Sequence, residues 1–176
     1  KTLTKLRSIW NDVDERFKNT LKGEKITMAL KLSGGPLKVG DIFPYDTDVY
    51  DIHGYCRSLS QFKGKQMLLY FNSYGCKPCV DAKKELTELA DSMKGIIEII
   101  GLNVDAPDVW KGKGQNTTVD WYDFNELKRS YGLSSRLDAM GIPTLMIVSK
   151  EGRILDVWAG YREGIITERI NEALKQ

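Results

Sequence analysis

Met67-Leu68-Leu69-Tyr70-Phe71-Asn72-Ser73-Tyr74-Gly75-Cys76-Lys77-Pro78-Cys79 runs from an apolar, strand-like stretch into two cysteines separated by two residues, and a helix-periodic segment, Val80 to Met93, follows at once. The cysteine pair therefore falls on a strand-to-helix turn, with Cys76 at the helix N-terminus. Unpaired backbone N–H groups and the positive end of the helix dipole favour a thiolate there, and Lys77 adds a nearby positive charge. A thiolate is the species that attacks a disulfide. Pro78 lacks a donor that would be idle in the first helical turn, so it stiffens the turn at little cost. Such a pair can alternate between dithiol and disulfide without rearranging a fold. The rival readings are a buried structural pair and half of a metal site.

A second signal lies downstream, where Gly141-Ile142-Pro143-Thr144 leads into the apolar run Leu145-Met146-Ile147-Val148. Proline cannot donate to a strand ladder, so at a strand start it marks an edge, a turn or a cis bond. A Cys-x-x-Cys after one strand and an Ile-Pro-Thr before another resembles the thioredoxin superfamily. The run-in narrows the resemblance: Val39-Gly40-Asp41-Ile42-Phe43-Pro44, then Asp51 and Gly54, then Ser58 to Lys65, is similar to TlpA/ResA-like thiol-disulfide oxidoreductases and their AhpC/TSA peroxiredoxin relatives. Leu102-Asn103-Val104-Asp105, Leu127 to Tyr131 and Gly160 also fit that pattern. The resemblance implies an α/β, thioredoxin-like fold: a central mixed β-sheet flanked by helices over residues 39–176, preceded by a helical extension over 1–38.

The same resemblance implies roles. Cys76 attacks a substrate disulfide, Cys79 resolves the mixed disulfide, and Pro143 follows a cis peptide that exposes the backbone of Ile142 to a substrate peptide. Ile142, Tyr74, Lys77 and Pro78 are the residues expected to meet the substrate. The implied partners are disulfide-containing protein substrates and a thiol electron-donor protein, with no organic cofactor and no metal. The implied location is the bacterial periplasm or cell envelope. Several positions depart from the family. Gly75, after Tyr74, stands where tryptophan is usual, Tyr70 where thioredoxins bury an aspartate, Gly101 where its lysine partner stands, and Ala82 where ResA-like proteins carry a glutamate. The proton acceptor for Cys79 is thereby left unassigned. Asp81 and Glu85 read as helix-dipole partners, and Tyr70 or Tyr74 as hydroxyl hydrogen-bonders.

Composition sets the outer bounds. The chain has 176 residues, 41% of them hydrophobic, enough for one domain with additions. Its 26 basic and 24 acidic residues leave a formal charge of +2, which gives no reason to expect nucleic acid as a partner. No stretch approaches the roughly 18 apolar residues of a membrane span. The chain opens on Lys1 rather than Met, so a trimmed form that has lost a signal peptide or a membrane anchor is the expectation. Three cysteines are too few for a disulfide scaffold, and with one histidine they complete a tetrahedral zinc site poorly.

Apolar residues at three- and four-residue steps from Leu3 to Leu21 predict an amphipathic helix over 1–22, and Ile26 to Leu32 alternates like a short strand. Strands are expected at 66–72 and 96–104 around a helix at 77–94, and a loop-rich insertion over 105–123. A helix from Phe124 to Tyr131 comes next. Two strands then flank Lys150-Glu151-Gly152, and a closing helix over 164–175 turns Ile165, Ile166, Ile170 and Leu174 inward. Cys56 reads as a small buried side chain, His53 as a loop residue, the tryptophans as packing groups, and Asn116-Thr117-Thr118 as a weak glycosylation match. Two other functions compete with disulfide exchange. One is a peroxiredoxin-like peroxidase, suggested by the run-in and by Ser73 upstream of Cys76, although Leu69 replaces an expected proline. The other is a copper-delivery module, whose downstream histidine is missing here.

Overall fold

In the computed structural model, which describes residues 2–32, 36–114, 119–128, 132–137 and 141–175, the apolar run before the cysteines is the centre of the sheet. Strand β3 (Met67–Asn72) pairs in parallel with β4 (Glu98–Asn103) on one side and antiparallel with β6 (Thr144–Val148) on the other. β4 pairs in parallel with β5 (Tyr122–Asn125), which meets the hairpin of β1 (Asp48–Tyr50) and β2 (Cys56–Ser58). β7 (Ile154–Ala159) closes the far edge, giving the order β2-β1-β5-β4-β3-β6-β7 among the described residues. This is the mixed sheet of a thioredoxin-like fold, with N-terminal helices before it.

A strand's side chains alternate between faces, and β3 is buried on both. Met67, Leu69 and Phe71 enter one core layer with Phe43, Phe62, Ile100, Leu102 and Met146. Leu68 and Tyr70 enter the other, beneath helix α4 (Lys77–Met93) and helix α6 (Ile165–Ala173), with Ala82, Leu86, Trp158 and Ile170. Glu85 ties these two helices together. Its carboxyl oxygens accept from the backbone N–H of Gly164 (3.1 Å) and of Thr167 (2.9 Å), which satisfies orphan donors at the start of α6. Between β6 and β7 the chain turns at Gly152, whose φ is +84°. A Cβ there would meet the Tyr45 ring at 3.1 Å, so glycine is required twice over.

Several elements differ from those the sequence predicts. Ile26 to Leu32 is not a strand; it belongs to helix α3 (Leu21–Leu32), which packs on α1 (Thr2–Asn11) and α2 (Glu15–Lys18). Trp10 Nε1 donates to Thr27 Oγ1 (3.0 Å), and the Trp10 and Phe17 rings meet edge to face at 6.1 Å. Tertiary contact with Trp10 decides what a short alternating run could not. The segment expected as loop-rich carries helix α5 (Pro107–Gly114), anchored by Trp110, which is only 1% exposed. Phe124 and Asn125 lie in strand β5 rather than in a helix, because β4 offers a parallel edge there; residues 129–131 lie outside the described residues. Leu174 is exposed, beyond the end of α6, and Cys56 is exposed on β2. The Asn116-Thr117-Thr118 match also lies outside the described residues.

Candidate active site

The three parallel strands β3, β4 and β5 end side by side, at Asn72, Asn103 and Asn125. Ligand sites of α/β folds lie beyond the carboxyl ends of such strands, and here the cysteine loop leaves from one of them. Cys76 is the N-cap of α4, and the Cys79 N–H donates to its Sγ at 3.2 Å. The two cysteines are joined by a disulfide with Cα atoms 5.2 Å apart. They differ sharply in exposure: Cys76 is half-buried, whereas Cys79 is 2% exposed and packs in the α4 core layer. An attacking sulfur must be reachable and a resolving sulfur need not be.

The loop at residues 141–144 faces the pair. The Ile142-Pro143 peptide is cis, Pro143 is buried, and Ile142 keeps 36% of its surface exposed. The Ile142 carbonyl oxygen lies 3.5 Å from Cys76 Sγ. Pro78 and Lys77 are exposed on the same first turn of α4. The Lys77 ammonium also faces Asp81 (3.4 Å), so part of its charge is offset before it reaches the sulfur. Lys84 is Asp81's other partner (3.1 Å), and these cations hold its carboxyl below the usual carboxylate range. Tyr74 is half-buried and lines a cavity behind Cys79. Cys56 and His53 are exposed on the run-in hairpin and are not part of this constellation.

What the sequence reading missed is the polar clamp beneath the loop. Asp105 accepts from Ser73 Oγ (2.7 Å), from the Tyr74 N–H (2.8 Å) and from Asn103 Nδ2 (3.1 Å). Asn103 also donates to Asn72 Oδ1 (3.1 Å), and Asn125 Nδ2 donates to the Asp105 carbonyl (3.1 Å). Asn103 and Asn125 are 3% and 1% exposed, so their amides depend on these partners. The signal available in the sequence was an asparagine at the end of each of two apolar runs, Asn72 and Asn103. Asp105→Ala is expected to strip the loop of its acceptor and cost about 1–3 kcal/mol of stability, read by urea unfolding. Asp105→Asn, which keeps one acceptor oxygen, should cost less.

Two residues before Asn72, on the same face of β3, the Tyr70 hydroxyl donates to the Cys79 carbonyl at 2.5 Å. Burial, and then the charge of Asp123, push the Tyr70 phenol well above its ordinary pKa. Burial also raises the Asp123 carboxyl, against the opposing pull of Lys83, and burial lowers the Lys83 ammonium. Among the described residues no group of histidine, cysteine or acidic side chains is arranged to hold a metal ion.

Known proteins resemble this chain in sequence and in fold. A sequence profile described as thioredoxin-like matches residues 64–154, just over half of the chain. The thiol-disulfide oxidoreductase ResA of Bacillus cereus is 28% identical over 138 residues, covering 73% of this chain and 72% of its own. Among solved structures, the thioredoxin domain of a thiol-disulfide oxidoreductase from Bacteroides vulgatus superposes with a TM-score of 0.66 at 23% identity, over 77% of this chain and 97% of that one. An exposed lipoprotein thioredoxin of Streptococcus pneumoniae superposes with a TM-score of 0.62 at 18% identity, over 72% and 98% of the two chains. Because that profile spans just over half of the chain, including the strand, the Cys-Lys-Pro-Cys turn, the helix and the cis-proline loop, the chain belongs to the thioredoxin-like family.

Proposed function

We propose that this thiol-disulfide oxidoreductase acts as a reductant of protein disulfides in the bacterial cell envelope, with Cys76 as nucleophile and Cys79 as resolving thiol. The observation that carries the reading is the Cys76–Cys79 disulfide at the N-terminus of α4, half-buried on one side and buried on the other, beside the open backbone edge at Ile142. In the reducing direction the Cys76 thiolate attacks one sulfur of the substrate disulfide. A mixed disulfide forms and the other substrate sulfur leaves as a thiolate. Cys79, deprotonated, then attacks Cys76 Sγ, the second substrate sulfur leaves, and the protein is left with its own disulfide. Two electrons pass to the substrate and a thiol donor protein restores them. The sulfurs carry the electrons, so the step calls for no organic cofactor.

The backbone edge at Ile142 suits a peptide, since a carbonyl flanked by an exposed side chain can pair with an extended segment. Lys77 and Pro78 lie on the exposed side of Cys76, where the substrate would approach, and Tyr74 supports the loop from within. The likeness to an exposed lipoprotein supports the envelope location. Ser73, which prompted the peroxidase reading, donates its hydroxyl proton to Asp105. That engagement favours thiol exchange over peroxide chemistry.

The test is directional. Reduced protein mixed with insulin should lose two thiols for each insulin disulfide opened, and dithiothreitol should sustain turnover. If the oxidised protein instead oxidises a reduced protein substrate while failing to reduce insulin, the direction is reversed. If it does neither, the reading fails.

A further inference from the structure

Cys79 must lose a proton before it can attack, and the acids nearest to it in sequence are committed elsewhere. Asp81 faces Lys77 and Lys84, and Glu85 caps α6. The Tyr70 hydroxyl is spent on the Cys79 carbonyl. Behind Cys79, however, lies a cavity of about 210 Å³ whose wall includes Tyr70 and Asn72 of β3, Lys83 of α4, and Trp121 and Asp123 at the start of β5. Its lining is mostly apolar, with Asn72, Lys83 and Asp123 among its polar groups, and it has room for several waters at about 30 Å³ each.

The sheet register explains how an acid from β5 gets there. Tyr70 pairs with Gly101 and Gly101 pairs with Asp123, so the three positions form one row across three parallel strands and share a face. The middle position has no side chain. A Cβ on Gly101 would stand 3.0 Å from Asp123 Oδ1 and 3.6 Å from Trp121 Nε1, so the carboxyl occupies space that any other residue at 101 would fill. The groups facing it are Lys83 and Cys79 from α4 and Tyr70 from β3. β4 presents only Gly101, and Tyr122, the neighbour on its own strand, packs against Phe62 on the opposite face.

Building on the proposed exchange reaction, we propose that Asp123, lying across Gly101 on the wall of the cavity that Cys79 lines, with Lys83 facing it, accepts the Cys79 proton in the resolving step through water in that cavity. The Cys79 S–H bond gives its proton to the Asp123 carboxylate. The thiolate electron pair forms the Cys79–Cys76 bond, the Cys76–substrate bond breaks, and the substrate sulfur leaves with that bond's electrons. Asp123 then returns its proton to solvent. In the reverse direction the protonated carboxyl supplies the proton that Cys79 takes up. Burial brings the Asp123 carboxyl nearer to neutrality, where a proton acceptor and donor works best, and Lys83 keeps it from rising further.

The experiment follows the glutathione mixed disulfide of Cys76, formed from reduced protein and glutathione disulfide, quenched in acid and counted by mass between pH 5 and 9. Asp123→Asn is expected to slow decay of the adduct at pH 7 at least tenfold, leave its formation unchanged, and replace the carboxyl midpoint by a rate that rises with hydroxide. Lys83→Met, at a half-exposed helix position that tolerates the change, should move the midpoint to higher pH, because it removes the charge that holds the Asp123 carboxyl down. A wild-type decay rate and profile in Asp123→Asn, together with an unmoved midpoint in Lys83→Met, would overturn the assignment of Asp123 while leaving disulfide exchange intact. If no adduct forms even in Cys79→Ser, the exchange reading itself falls and takes this proposal with it.

Discussion

Replacing Cys76 with serine is expected to lower the rate of disulfide reduction by roughly 10³-fold or more, the scale of loss when a covalent nucleophile is removed. A serine hydroxyl at the same N-cap still accepts from the backbone, so the helix start survives, but it offers no thiolate near neutral pH. Cys79→Ser should behave differently. Its neighbour can still attack, and with no resolving thiol the protein should accumulate a one-to-one mixed disulfide with its substrate. The asymmetry follows from burial, because Cys79 at 2% exposure cannot be reached by a protein substrate whereas Cys76 can. Turnover assays and intact-mass measurements on both variants check it. Equal activity loss without an adduct in Cys79→Ser would assign the two sulfurs wrongly.

The second large effect concerns stability. Phe71→Ala is expected to cost about 3–5 kcal/mol, the transfer free energy of a buried phenyl group plus the cavity it leaves. Phe71 is fully buried in β3, which hydrogen-bonds to strands on both sides and sits within the layer formed by Phe62, Leu69, Leu102 and Met146. Neighbours fixed by two ladders cannot collapse far into the gap. Since whole domains are stable by only about 5–15 kcal/mol, the variant should sit close to unfolding at room temperature. Urea unfolding followed by tryptophan fluorescence measures this. A loss below about 1.5 kcal/mol would mean that the layer relaxes in a way its packing does not suggest.

The parts of this protein that the sequence reading captured are those set by local chemistry. A cysteine pair between an apolar run and a periodic helix, and a proline opening an apolar strand, each report on their own surroundings, and the structure brings Cys76 to 3.5 Å from the Ile142 carbonyl. The misread segments lack such a local decision. Ile26 to Leu32 alternates as a strand would, but in the structure it continues helix α3, packed on α1 and α2 with Trp10 bonded to Thr27. Phe124 is drawn into β5 by the free parallel edge of β4, which local periodicity does not register. The site's supporting residues were hidden for the same reason. Asp105 acts on Ser73 and Tyr74, and Asp123, two strands away from Tyr70, reaches the cavity behind Cys79 across Gly101. Where the family pattern has an aspartate, Tyr70 binds the Cys79 carbonyl, and a carboxyl is present in the same row of the sheet on another strand.

The proposed exchange requires Cys76 and Cys79 to form a reversible redox pair that gives electrons to substrates. It is tested most directly by equilibrating the protein in graded thiol-disulfide buffers, alkylating free thiols and counting them by mass, with Cys76→Ser as the control. The account predicts a single two-electron transition in which two thiols appear together, absent in the control, at a potential toward the thioredoxin end of the range of roughly −270 to −120 mV spanned by thioredoxin-like dithiols. A potential at the oxidising end would reverse the direction of electron flow, and the absence of any reversible two-thiol transition would contradict the account.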